Sequence, residues 1–249
     1  MIIELPKEHI ILSDEKGEVK DGILYLHRNM FEEAMFELTY ILHGHVCYYC
    51  QKPITGIEDK EKQDGVLWKS LDHLIPREFG GVSITNNLRP CCSVCNRKKG
   101  SMYPNEFEKF QHIVKSTKGR ERKAEVKDFN EELSLIQTKR RFGELPSLPE
   151  EWLEQGNHKS VYVNFRLEDP IGTVYNRIAR FYRKYKRIPY PIVVSANKFL
   201  LDGFNSILFM KIEGVRKIDV IKLENVIYDG IVDYTSHVLG KWFFSLFAL

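Results

Sequence analysis

The sequence predicts an α+β protein built from two parts of different character. Three observations support this: residues 29–43 place apolar side chains at helical spacing, residues 44–100 hold all the cysteines, and short strand-like and helix-like stretches alternate after residue 190. The chain has 249 residues, of which 43% are hydrophobic. That is enough to bury a core and too apolar for a disordered chain.

Two kinds of segment are not expected. The sequence has no uninterrupted apolar run of about 18 residues, the length that a membrane-spanning helix needs. The first residues are acidic and lack the basic start and apolar run of a secretory signal peptide. These observations predict a cytoplasmic protein without membrane contact.

The first half is predicted to contain a hairpin and three helices. Residues 8–13 and 22–27 are apolar runs separated by a polar turn around Gly17 and Gly22, as in a hairpin. The predicted helices are 29–43, 103–116 and 120–140.

A break in helical pattern marks the end of this half. Pro146 and Pro149 interrupt any helix there, which places a domain boundary near 142–157. The predicted division is an N-terminal hairpin and helix, a central domain with a helical extension, a linker and a C-terminal domain, over residues 1–43, 44–141, 142–157 and 158–249.

The C-terminal part alternates strands and helices. The predicted strands are 160–166, 191–195, 198–201 and 217–223, and the predicted helices are 171–187 and 204–213. The sequence ends in WFFSLFAL, an apolar stretch that has to pack into a core or an interface.

The five cysteines predict a metal site. Cys47 and Cys50 form one C-x2-C pair, and Cys92 and Cys95 form a second. A chain of this size does not need disulfide staples, whereas two such pairs supply the four soft ligands of a closed structural zinc site. Cys91 is an alternative to Cys92, although its spacing from Cys95 is unusual for a zinc knuckle.

Four polar residues around the second cysteine pair predict a hydrolytic site. Asp72 and His73 precede it, Asn87 lies 14 residues after His73, and Asn96 directly follows Cys95. A histidine with a pKa near neutral can take the proton of an attacking water, so His73 is assigned as general base. The carboxylate of Asp72 and the amide oxygen of Asn96 suit a hard cation, Mg²⁺ or Mn²⁺.

These residues resemble the HNH endonuclease family, whose core is the ββα-metal nuclease motif. The matching features over residues 44–102 are the Asp-His pair, Pro76, Gly80-Gly81, the Asn-Asn-Leu stretch, Cys-Asn-x-x-Lys and the two C-x2-C pairs. The resemblance implies a zinc-stabilised nuclease domain in which Asn87 orients the loop that carries His73.

The net charge of +3 is unevenly distributed. The region from Arg97 to Arg141 has thirteen basic and seven acidic residues, and the stretch from Arg177 to Arg187 has six basic residues and no acid. Such blocks favour a polyanionic partner, with solvated helix faces as the alternative. The predicted phosphate contacts are Arg77, Arg97, Lys98, Lys99, Arg180, Arg183, Lys184 and Arg187.

The segment over roughly 160–225 resembles the ParB/sulfiredoxin-like fold, through its short strands, the Asp202-Gly203 pair and the helix that follows. Members with an active site continue Asp-Gly with His and Arg, whereas here Phe204, Asn205 and Ser206 follow. The resemblance therefore implies an accessory module that contacts DNA, a protein partner or a second copy.

The predicted function is metal-dependent hydrolysis of DNA by an HNH endonuclease with a ParB-like accessory domain. RNA is the alternative substrate. A zinc-stabilised nucleic-acid-binding module with an unused nuclease site is a second hypothesis. A third is a nuclease of phage defence or of a mobile element that acts only with a partner.

Overall fold

A computed structural model describes residues 1–28, 30–54, 69–142, 149–157, 173–215 and 217–230. These ranges contain both helices and strands, as the predicted α+β class requires. The predicted strand 160–166 and the apolar stretch at 242–249 lie outside the described residues.

The first sheet is built mainly from the N-terminal residues. Its strands β1 (Ile10–Ile11), β2 (Gly17–Lys20) and β3 (Ile23–Leu26) pair antiparallel in sequence order. The predicted pairing of 8–13 with 22–27 is therefore wrong, because β2 lies between them. Asp21 and Gly22 both have positive φ, which suits a tight turn between β2 and β3.

The long helix α1 (Phe31–His43) and a small hairpin form the centre of the molecule. Strands β4 (Lys69–His73) and β5 (Leu88–Cys92) pair antiparallel, with His73 opposite Leu88. Helix α2 (Ser93–Lys99) follows β5 directly and packs against both strands. The result is a ββα unit with α1 against β5.

Two further helices extend this unit. They are α3 (Pro104–Ser116) and α4 (Gly119–Arg141), close to the predicted bounds. The buried ion pair between Glu106 and Arg140, at 2.8 Å, joins the two helices.

The C-terminal elements form a second α+β unit. The strands are β6 (Glu154–Asn157), β7 (Ile192–Ser195), β8 (Leu200–Asp202), β9 (Lys217–Leu223) and β10 (Val226–Tyr228), and the helices are α5 (Thr173–Tyr185) and α6 (Phe204–Ile212). Four of the strands form one sheet in the order β6-β9-β7-β8. Strand β6 falls in the predicted linker, where no strand was expected.

The last described strand connects the two ends of the chain. Strand β10 pairs in parallel with β3 and completes the first sheet. One buried cluster accordingly contains residues from the N-terminal sheet, from α1, from the loop before β5 and from β7 to β10. The division into domains given above remains a prediction. No helix among the described residues is long and apolar enough to cross a membrane.

Candidate functional site

Four cysteine sulfurs come together beside the ββα unit. The Sγ atoms of Cys47, Cys50, Cys92 and Cys95 all lie within 4.8 Å of one another. Cys50 Sγ and Cys92 Sγ are 3.9 Å apart. Zinc–sulfur bonds of about 2.3 Å in a tetrahedron put the sulfurs roughly 3.8 Å apart, so this cluster suits a zinc ion.

Local backbone structure places each pair of cysteines. Cys47 and Cys50 lie on a tight turn in which Gln51 N–H donates to the Cys47 carbonyl. Cys92 caps α2, where its sulfur accepts a hydrogen bond from the Cys95 N–H. Burial alone would raise the pKa of Cys47, but backbone N–H groups, chiefly that of Cys92, lower it to about 6. Such donors favour the thiolate form that binds metal.

Cys91 is not a member of this cluster. It directly precedes Cys92 on β5, and its Sγ lies 4.0 Å from Cys47 Sγ, but the group of four mutually close sulfurs does not include it. Cys91 is fully buried, and burial raises the pKa of its thiol. Cys92, rather than Cys91, is the residue placed for metal binding.

Asn87 closes the loop between β4 and β5. Its Nδ2 donates to the carbonyls of Val82 and Ile75, and its Oδ1 accepts from the Ile75 N–H. Gly81 allows this close approach, because a Cβ atom there would lie 1.7 Å from the Ile75 oxygen. The loop is thereby held against the end of β4, where His73 lies.

His73 is half-buried at the end of β4, and its ring contacts this loop. Its Nε2 lies 3.0 Å from Ser83 Oγ. Burial is the main reason why the pKa of His73 falls to about 4, and the nearby Arg77 and Lys99 cations lower it further. The ring is therefore unprotonated at neutral pH, as a base must be.

Asp72 points into the core, away from solvent. Its Oδ1 lies 2.9 Å from Lys99 Nζ and its Oδ2 accepts a 2.6 Å hydrogen bond from the Tyr49 hydroxyl. Burial raises the pKa of Asp72, while Lys99 and Tyr49 oppose this effect. Lys99 Nζ also donates to the His73 carbonyl at 3.0 Å. The Lys99 ammonium group therefore contacts both the Asp72 carboxylate and the His73 carbonyl oxygen.

Asn96 lies on α2 and faces the same strand. Its Nδ2 donates to Ser70 Oγ at 2.6 Å and to the Leu71 carbonyl at 3.0 Å. Neither bond uses its Oδ1. The carboxylate oxygens of Asp72 and the amide oxygen of Asn96 are the kind of ligand that a divalent cation prefers. Asp72 can bind such a cation only after its ion pair with Lys99 opens.

Two of the predicted phosphate contacts are wrong. Lys99 is only 1% exposed and is held by Asp72, so it cannot reach DNA. Arg187 is half-buried, donates to the Arg140 carbonyl at 2.7 Å and stacks on Phe181. The side chains that remain exposed are Arg77, Arg97, Lys98, Arg180, Arg183 and Lys184.

Two tyrosines of α5 contact the neighbouring helix. Tyr175 and Tyr182 are half-buried and contact Phe209 of α6 at ring distances of 5.4 and 5.3 Å. The exposed Arg180 and Arg183 of α5 are accessible to phosphates, whereas Tyr182 packs against α6.

Comparison with known proteins supports this description of the centre. Residues 47–112 match the family model described as HNH endonuclease. This part of the chain is similar to HNH endonuclease domains. The matched span begins at the first cysteine of the cluster and includes the ββα unit and most of α3.

Other similarities are more limited. No curated protein matches the chain. Among solved structures, the chain is similar to a Pnob8-like ParB-N domain in its C2221 form, with 15% sequence identity and a TM-score of 0.25. This similarity covers 39% of the present chain and 36% of that chain, so the present chain spans about a third of its length.

Three residues near the site were not predicted from the sequence, because no local pattern marks them. Tyr49 lies between two cysteines, and its side chain reaches Asp72. Ser83 lies on the loop that Asn87 closes, and Glu32 comes from α1, 51 residues earlier. Their contacts depend on the tertiary fold, which local sequence patterns do not specify.

Proposed function

We propose that this protein is a metal-dependent endonuclease that hydrolyses DNA phosphodiester bonds at its HNH domain, with His73 as the general base. The observation that carries the proposal is the position of His73. It lies at the end of the first strand of a ββα unit, its ring contacts Ser83 on the loop between the two strands, and the cysteine cluster lies beside the same unit.

In the proposed reaction, His73 accepts a proton from the water that attacks the phosphorus. Asn87 supports this step by holding the loop that contacts the ring. Arg77, Arg97 and Lys98 are exposed near the site in sequence and neutralise phosphates of the bound strand. The resemblance to the HNH family implies products with a 5′-phosphate and a 3′-hydroxyl.

Two metals have separate proposed roles. Zinc at the four cysteines would be structural and would fix the direction of α2, and with it Asn96. Once the ion pair with Lys99 opens, Asp72 would hold Mg²⁺ or Mn²⁺ together with Asn96, and the metal would supply positive charge for the phosphate oxygens. We place the protein in the cytoplasm, because thiolate ligands stay reduced there.

The first test is cleavage of supercoiled plasmid by the purified full-length protein in Mg²⁺ or Mn²⁺. We expect nicked or linear DNA, no cleavage in EDTA and none with His73→Ala. His112→Ala is the matched control, because His112 is an exposed histidine on α3 in the same family match and should leave cleavage intact. DNA ligase should reseal the nicks, since it requires a 5′-phosphate and a 3′-hydroxyl.

The same experiment separates the alternatives. An intact plasmid that nevertheless shifts in a binding gel would favour a nucleic-acid-binding module. Cleavage that appears only after a protein partner is added would favour the partner-dependent nuclease. Cleavage of an RNA substrate but not of the plasmid would identify RNA as the substrate. Equal cleavage by wild type and His73→Ala would contradict the assigned base.

A further inference from the structure

A chain of hydrogen bonds leads from His73 to a residue outside the matched family segment. His73 Nε2 is 3.0 Å from Ser83 Oγ, and Ser83 Oγ is 2.9 Å from Glu32 Oε1. The same Glu32 oxygen accepts a 2.7 Å bond from Arg77. Glu32 lies in the first turn of α1, before the match that begins at residue 47.

The donors and acceptors in this series of hydrogen bonds determine where the Ser83 hydroxyl proton lies. Ser83 is 1% exposed, so its hydroxyl cannot turn to bulk water. An ionised carboxylate accepts and does not donate, so the single Ser83 proton goes to Glu32. Ser83 Oγ is then an acceptor, and its contact with the ring requires a proton on His73 Nε2.

A neutral imidazole with a proton on Nε2 has its free lone pair on Nδ1. Among the residues that the structure describes, His73 Nδ1 has no hydrogen-bond partner. That nitrogen is therefore the one available to accept a proton from water.

We propose that Glu32 is a positioning residue which, through Ser83, holds His73 as the Nε2–H tautomer with Nδ1 as the basic atom. The catalytic consequence rests on the proposed nuclease function, but the tautomer does not. Helix α1 thereby completes a site whose other residues lie within the HNH match. Without Glu32, the base is still present but is less often correctly oriented.

A purely structural role for Glu32 makes a different prediction. A carboxylate in the first turn of a helix interacts favourably with the helix dipole, and Glu33 occupies the same turn. Glu33 is exposed and has no contact with Ser83. If only the dipole mattered, Glu32→Ala and Glu33→Ala would behave alike.

The direct test is nuclear magnetic resonance of the histidine rings in ¹⁵N-labelled full-length protein at about pH 8, above the ordinary histidine pKa. His73→Ala assigns the signal. We expect Nε2 to carry the proton, with a proton resonance that is protected from exchange in wild type and lost in Ser83→Ala. A wild-type ring protonated on Nδ1 would overturn the proposal, whether or not the protein cleaves DNA.

Plasmid nicking at saturating protein provides the functional measurement. Glu32→Ala should lower the rate constant by about 10- to 100-fold with little change in the protein concentration needed for half-maximal rate. Glu32→Gln keeps an acceptor oxygen and should restore most of the rate, while Glu33→Ala should match wild type. Equal rates for Glu32→Ala and Glu33→Ala would overturn the positioning role. Absence of nicking by wild type, with the expected tautomer, would contradict the nuclease function alone.

Discussion

At the scale of single residues, the burial of His73 sets the pH range in which it can act as a base. Because burial disfavours the charged ring, the pKa of His73 is lowered to about 4. The unprotonated fraction is then nearly constant above pH 6. A solvent-exposed histidine would instead become largely protonated on the acid side of its ordinary pKa of about 6.5.

The first prediction concerns this pH dependence. Between about pH 8 and about pH 6, the nicking rate at saturating protein should change little, whereas a base with an ordinary histidine pKa would lose about fourfold. Single-turnover cleavage over this range measures the effect. A midpoint near 6.5 would show that His73 titrates like an exposed histidine and would contradict the proposed burial of the base.

Lys99 and Asp72 form a buried ion pair in which each charge is neutralised by the other. The two side chains are 1% and 3% exposed and 2.9 Å apart. Lys99→Met leaves the Asp72 carboxylate without its cation, so we expect a loss of about 3–5 kcal/mol in the free energy of unfolding. Chemical denaturation measures this loss, with Lys98→Met, an exposed neighbour, as the control.

The same variant tests metal binding by Asp72. If Asp72 is a ligand, added Mn²⁺ or Mg²⁺ replaces the missing ammonium and recovers part of the stability of Lys99→Met, since a ligand that binds the folded state stabilises it. The Lys99→Met/Asp72→Asn double variant should show no such recovery. Equal metal effects in the two variants would argue against Asp72 as a metal ligand.

The sequence could predict some of these residues and not others. The motif located His73, Asn87 and the cysteines, because their chemistry is tied to short spacings. It placed Lys99 on the surface, since charged side chains are usually exposed. Only the fold shows that Asp72 lies beside Lys99 and neutralises it.

At the scale of elements, the cysteine cluster connects a tight turn to the start of α2. Helix α2 has only seven residues, too few to be stable by itself in water. Zinc at Cys92 and Cys95 would fix the helix against β4, where Asn96 donates to Leu71. The cluster is therefore expected to support the site without taking part in the reaction.

Cysteine variants test this role. Cys92→Ser should lose the bound zinc and, with it, plasmid cleavage, because α2 is no longer fixed. Cys91→Ala changes a neighbouring buried cysteine outside the cluster and should keep about one zinc per chain. Zinc content is measured by atomic absorption after dialysis. Retention of zinc by Cys92→Ser and its loss from Cys91→Ala would reverse the assignment.

Helix α5 presents the exposed basic residues Arg180, Arg183 and Lys184 to solvent. Removing three of its charges, with Arg180→Ala, Arg183→Ala and Lys184→Ala together, should weaken DNA binding. It should also reduce the slope of log affinity against log salt by about 0.9 for each phosphate that is no longer neutralised. Fluorescence anisotropy with a labelled duplex measures both quantities.

The control for this triple variant removes the same charge elsewhere. Arg120, Lys123 and Lys127 are exposed on α4, and their replacement by alanine changes the net charge equally. A smaller effect for the α4 variant would support a specific interaction of α5 with DNA. Equal effects would indicate that only the overall charge matters.

Sequence patterns were most informative about elements that have a strong local signal. Strand β9 (Lys217–Leu223) has the predicted bounds, α3 begins one residue later than predicted, and α4 extends one residue further at each end. Strands β2 and β6 were missed because they are short and carry few apolar residues, and β10 was missed because three apolar residues are too few to show an alternation. Their pairing partners, which are distant in sequence, decide their structure.

At the scale of the whole molecule, the first residues are held between the loop that joins β4 to β5 and the C-terminal strands. Ile3 exchanges two hydrogen bonds with the Asn225 side chain, and the Glu4 carbonyl accepts from Thr85 Oγ1. Strand β10 adds to the N-terminal sheet through β3. Local patterns cannot predict such contacts, because they join residues 81 to 222 positions apart.

This arrangement surrounds the ββα unit with parts of the chain that the family match does not include. Helix α1 supplies Glu32 from one side, and a cleft lined by Arg77 and Asp202 lies between the loop that joins β4 to β5 and the C-terminal sheet. Residues outside the matched segment therefore contact the ββα unit, and the full-length chain is the appropriate protein for each experiment.

The central claim is that His73 acts as the general base in the hydrolysis. The most direct test is the single-turnover nicking rate constant of wild type, His73→Ala and His112→Ala in Mn²⁺, with zinc content equal in all three. We predict that His73→Ala lowers this constant by about 10²- to 10⁴-fold while His112→Ala matches wild type. A His73→Ala protein that retains zinc and nicks DNA at the wild-type rate would contradict the account.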